Sequence, residues 1–112
     1  MRILYLTLKK APFEVMVTGE KNFEIREKSK WIESRLFDEK GYMRYYDAIK
    51  FVNGYGKDKP YFMARYLGCG PGVCCGKHFS NGFYLKPQDD VWIIWLGNII
   101  ETGNLEGALN HG

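Results

Sequence analysis

The sequence predicts a small mixed α+β domain of about five or six strands with two short helices, and three observations predict it. An apolar strand, a short helix and a charge-alternating strand follow one another between Ile3 and Arg26. Glycine-containing turn signals then separate further strand-like runs through the middle of the chain. A near-continuous apolar run beginning at Val91 closes the sequence. With 112 residues the chain has room for one core and not two.

Ile3 to Leu8 is rich in strand formers and stops at Lys9-Lys10, just before Pro12, a residue tolerated in the first turn of a helix. The helix is expected from Pro12 to Thr18, with Phe13, Met16 and Val17 as its apolar face, covering one end of the domain. Gly19 suits the positive φ that lets the chain reverse out of that helix. From Asn22 the residues alternate, so a strand turns Phe23 and Ile25 to the core and Asn22, Glu24 and Arg26 to the other face, with Lys21 at its mouth.

A second helix is expected from Lys30 to Phe37, with Ser29 as N-cap and Ile32 and Leu36 facing inward. Asp38 to Arg44 reads as a loop, Tyr45 to Val52 as a strand, and Asn53-Gly54-Tyr55-Gly56 as a turn. Tyr61 to Leu67 is another strand, with Phe62, Ala64 and Tyr66 on one side and Met63 and Arg65 on the other. The glycines between Gly68 and Gly76 point to a tight hairpin or a bulged crossing, and Phe79 to Leu85 to a weaker strand. The apolar run from Val91 implies burial on both faces or a barrel interior, with Trp92 and Trp95 in the core. A domain at 1–101 followed by a polar tail at 102–112 is the expected organisation.

The composition, 46% hydrophobic and 16% aromatic, excludes a disordered chain. A net charge of +3 gives only mild attraction to polyanions, so local clustering must decide. Lys9, Lys10, Lys21, Arg26, Lys28 and Lys30 all fall in the first third and form one positive rim if the strand and helix ends meet. No apolar run approaches a membrane span, no signal peptide is visible, and the three cysteines are odd in number, so a cytoplasmic protein with reduced thiols and no membrane partner is expected.

Cys69, Cys74, Cys75 and His78 form C-x4-C-C-x2-H, but adjacent cysteines of an extended segment point oppositely, so no metal site is assigned and buried free thiols are expected. No phosphate-loop pattern accompanies the glycines, and no cofactor is assigned.

Gly19, Lys21, Glu24 and Arg26 follow a strand and a short helix in the order and spacing G-x-K-x-x-E-x-R, and the last strand carries Leu96-Gly97-Asn98-Ile99-Ile100. In these features the chain resembles the ASCH domain family of the PUA-like superfamily. The resemblance covers the two ends of the chain, while the middle agrees only in the order of its elements. It implies a partly open PUA-like β-barrel and an association with RNA. It also implies an alternative, because some ASCH members are amidohydrolases acting on an acylated cytidine and others are ribonucleases. In the amidohydrolase-like members a threonine stands at the position held here by Glu24, beside the lysine matching Lys21, so this chain departs from that pattern.

Two functions follow as expectations. In an RNA- or nucleotide-binding module, Lys21 and Arg26 hold phosphate, Glu24 accepts hydrogen bonds from a base edge or ribose hydroxyl, and an aromatic stacks. Lys9, Tyr55 and Arg65 complete that set: Tyr55 is opened to solvent by flanking glycines, and Arg65 either meets a carboxylate or reaches the cleft. In a hydrolase of a modified nucleoside or RNA, Glu24 is the general base and Lys21 the electrostatic stabiliser. The bland alternative for Lys21, Glu24 and Arg26 is an ion pair on a solvated strand.

Overall fold

The protein's structure, a computed structural model, describes residues 1–106. Strand β1 (Ile3–Leu8) is followed by helix α1 (Lys10–Val17), β2 (Phe23–Glu27), helix α2 (Lys30–Leu36), β3 (Ala48–Asn53) and β4 (Tyr61–Cys74). A two-stranded hairpin, β5 (Lys77–His78) with β6 (Tyr84–Leu85), precedes the last strand, β7 (Gln88–Gly103). Five strands form one mixed sheet in the order β1-β3-β4-β7-β2, with β1 parallel to β3 and the other pairs antiparallel.

β1 and β2 are therefore the two edges. The sheet curls far enough for the Arg26 side chain on β2 to donate from Nη2 to the Thr7 carbonyl of β1 at 2.6 Å, yet no backbone ladder joins the two edges. The expected barrel is thus an open, curled sheet whose seam is spanned by a side chain. Leu4, Leu6, Ile49, Phe51, Phe62 and Ile94 fill its concave side, and Phe13 and Met16 of α1 with Ile32 and Leu36 of α2 cover it. On α1 the third buried apolar residue is Val15, with Val17 only half-buried.

Ser29 caps α2 as expected, its hydroxyl accepting from the Ile32 amide at 3.2 Å. Gly19 adopts φ +87° and its amide donates to the Met16 carbonyl, closing α1.

Several expectations are corrected. Of the two readings of the glycine-rich run, the bulged crossing holds and the hairpin does not: β4 continues through it to Cys74 with register shifts beside Gly68 and Gly72. The reason lies on β7, whose large side chains cross this segment: a Cβ on Gly70 would sit 3.3 Å from the Trp95 ring, and one on Gly72 would run into Ile93. Trp95 is consequently an outer-face residue and exposed, while Trp92 is half-buried, packing on Phe37 and donating to Glu33 Oε2 at 3.1 Å. Burial along β7 is one-sided over much of its length, so it is not a strand buried on both faces. Of the weaker strand expected from Phe79 to Leu85 only Tyr84–Leu85 forms, as β6; residues 79–83 make a turn docked on α1 and the α1–β2 connection, where Ser80 donates to Glu20 and Asn81 to the Ala11 carbonyl. The strand read from Tyr45 begins only at Ala48. Thr102 and Gly103 complete β7 and do not belong to a tail, whose expected remainder beyond residue 106 lies outside the described residues.

Among the described residues no helix is long and apolar enough to cross a membrane.

Candidate functional site

β2 pairs with β7 so that Glu24 lies opposite Ile94, and Ile94 faces the core. The alternation read from the sequence is present, but its faces are exchanged. Glu24 and Arg26 point to the concave side, while Phe23 and Ile25 share the outer face with Ile93 and Trp95. The period is visible in residue types; the choice of face is not, because both faces of the β2–β7 pair carry large apolar groups.

Lys21 and Glu24 are the two buried charged residues among those described, with 1% and 6% of their surface exposed. The solvated ion pair is thereby excluded for them. The Lys21 ammonium donates to the Phe23 carbonyl at 2.6 Å, to Glu24 Oε1 at 3.1 Å and towards Met16 Sδ at 3.5 Å. All three of its donors are used inside the protein. Burial pushes this ammonium below the ordinary lysine value, and the Glu24 carboxylate opposes that shift.

Glu24 Oε1 also accepts from the Ile25 amide at 3.1 Å, and Oε2 accepts from Arg26 Nε at 3.0 Å. Three of roughly four lone-pair positions are filled, leaving one on Oε2. Phe23 C=O and Ile25 N–H are groups of the open edge of β2, since the Asn22 carbonyl points instead to Leu96 of β7. Lys21 and Glu24 therefore satisfy edge groups that would otherwise seek another strand. Arg26 carries five donors, spends one on Glu24 and one on Thr7, and keeps three without a partner among the described residues.

A cleft of about 980 Å³ runs along the seam between the β1 and β2 edges. Lys9 and Lys10 at the start of α1, then Glu24, Arg26 and Lys28, line it, with Lys21 behind them and Trp31 and Tyr55 at its rim. Lys9, Lys21, Glu24, Arg26 and Tyr55 are thus brought to one place. Tyr55 is 83% exposed, between Gly54 at φ +98° and Gly56 at φ +105°.

Arg65 is not brought there: it is exposed on the convex face of β4, next to Gly97, away from the cleft. Of the expected positive rim, Lys30 lines a different surface depression with Glu33 and Asp38, and Lys28 is drawn to Asp90 and lies over the Trp92 ring. Thr18 serves the helix end, its hydroxyl donating to the Val15 carbonyl at 3.2 Å.

The edge carbonyls of Thr7 and Phe23 and the thioether of Met16 are partners that residue types alone do not announce. Cys69 and Cys74 are half-buried, Cys75 is exposed, and all three are free thiols. Among the described residues no three His, Cys, Asp or Glu side chains converge as metal ligands would. No protein-family model matches the chain, and no curated protein and no solved structure matches it.

Proposed function

We propose that this chain is an RNA- or nucleotide-binding module, ASCH-like in its signature and PUA-like in architecture, with the seam cleft as its binding site. One observation carries the reading: an open acceptor on Glu24 stands beside three open donors on Arg26, in a cleft whose entrance holds Lys9 and Lys10. That combination suits a ligand with a phosphate and a polar edge bearing a donor, because guanidinium recognises phosphate in planar geometry and the carboxylate takes one N–H or O–H.

Lys21 has a different role from the one its charge suggests. It holds Glu24 in place and has no donor left for phosphate. The hydrolase alternative asks Lys21 to steady developing charge and Glu24 to take a proton from water, and most of their capacity is already spent on the protein. This favours binding over hydrolysis.

The test is fluorescence anisotropy of a labelled single-stranded RNA with the native chain and with a Lys9→Glu, Lys10→Glu variant. Those two side chains are exposed, so the variant leaves the core intact. Charge reversal at Lys21 is unsuitable, because it would bury a second carboxylate against Glu24. Binding that the variant loses supports the proposal. Equal binding by both, or none, or release of product from an acylated cytidine, overturns it.

A further inference from the structure

Next to the cleft lies a second pocket of about 370 Å³ lined by Leu6 and Val52 together with Tyr5, Thr7, Arg26, Trp31 and Tyr55. We infer that it is a stacking subsite for one unpaired nucleobase, so that the ligand of the cleft is a single-stranded nucleic acid; this rests on the binding reading above.

Three large aromatics reach the pocket from three elements, Tyr5 from β1, Trp31 from α2 and Tyr55 from the β3–β4 turn. They remain 60%, 51% and 83% exposed. Single exposed aromatics are ordinary; three converging on one pocket leave π-faces unused where folding would have rewarded packing them. Trp31 is also held in place, with the Arg35 guanidinium 5.0 Å from its ring centroid. The volume falls at the low end of the range for small-ligand sites, about 300 to 1,000 Å³.

The polar part of the pocket's lining distinguishes a base from an aliphatic side chain of a protein partner. Arg26 lies there with unspent donors, which an aliphatic group would leave unpaired and a heterocycle with ring acceptors would not. Thr7, Arg26, Trp31 and Tyr55 also line the basic cleft, so the two spaces adjoin. A base seated between the aromatics leaves its backbone phosphate in the cleft with Lys9 and Lys10. A duplex cannot enter in this way, since its bases are already stacked and paired.

The experiment compares a labelled single-stranded RNA, the same strand with abasic nucleotides, and the corresponding duplex, each titrated with the native chain, with Trp31→Leu, Tyr55→Leu, and with Trp31→Phe. These residues are exposed, and circular dichroism checks each fold. Native protein should prefer the intact single strand over both other probes. The double leucine variant should lose affinity for it by about 5- to 150-fold, the range for one lost stacked base. Trp31→Phe should retain most of the affinity, and the salt dependence should be unchanged in all three proteins because no phosphate contact is touched. If the leucine variant matches native protein, or the abasic strand binds as well as the intact one, the subsite falls while the cleft reading stands. Failure of the native chain to bind any of these strands overturns both.

Discussion

Replacing Glu24 with Gln keeps the shape of the side chain and removes its charge. The amide oxygen can stay with Lys21 and the Ile25 amide, which turns an NH₂ group against Arg26 Nε–H; flipped, it turns the NH₂ group against Lys21. Either way an ammonium that is 1% exposed loses its counter-charge. Breaking a buried pair from one side costs about 3–5 kcal/mol, whereas an exposed pair is worth about 0–1 kcal/mol. Against the 5–15 kcal/mol or so that holds a typical domain, the loss is severe.

The penalty should also depend on pH. Lys21 titrates below its unfolded value, so between the two values the unfolded chain binds the extra proton and stability rises with pH; below the folded value the strain of holding the charge is fully present. Removing Glu24 deletes what opposes that shift, and Lys21 then sheds its proton at lower pH still. Urea unfolding followed by circular dichroism at pH 7 and pH 10 should give a large loss for Glu24→Gln at the lower pH and a smaller one at the higher. In a Lys21→Met background the loss should shrink by about 0.5–3 kcal/mol, the usual coupling of contacting groups. A loss under about 1 kcal/mol at pH 7, or one unaffected by Lys21→Met, would refute the buried network.

Two further changes test the frame around the site. Ser29→Ala removes the cap of α2 and should lower stability by about 1 kcal/mol in the same urea assay. Tyr66→Phe should be neutral or mildly stabilising, because the Tyr66 hydroxyl is buried without a hydrogen-bond partner among the described residues; burial first, and then the neighbouring Cys69 thiol, push its phenol up.

Local chemistry was well marked in the sequence. Ser29 before Ile32 and Leu36, Gly19 after α1 and the glycines around Tyr55 gave the cap and two turns, since each depends on its own few residues. What depended on a neighbouring strand was hidden. The glycines of β4 leave a hairpin and a bulged crossing equally open because the side chains that need their space, Trp95 and Ile93, are remote in the chain. The face of β2 was misread for a related reason: an alternating strand buries its apolar side unless its charges are satisfied by each other, and that satisfaction runs through Phe23 C=O, Ile25 N–H and Thr7 C=O, groups common to every sequence. Most of the site's residues were identifiable by charge, but Arg65 was not separable from them, because which face of β4 meets the cleft is set by the curl of the whole sheet.

The most direct test of the cleft is the salt dependence of its affinity for a short single-stranded RNA. On the proposed reading Lys9, Lys10 and Arg26 would together neutralise about three phosphates, so log K against log salt should fall with a slope of about −2. Reversing Lys9 and Lys10 should flatten that slope along with the affinity. A slope near zero, or one that the reversal leaves unchanged, would place any binding elsewhere on the molecule and contradict the account.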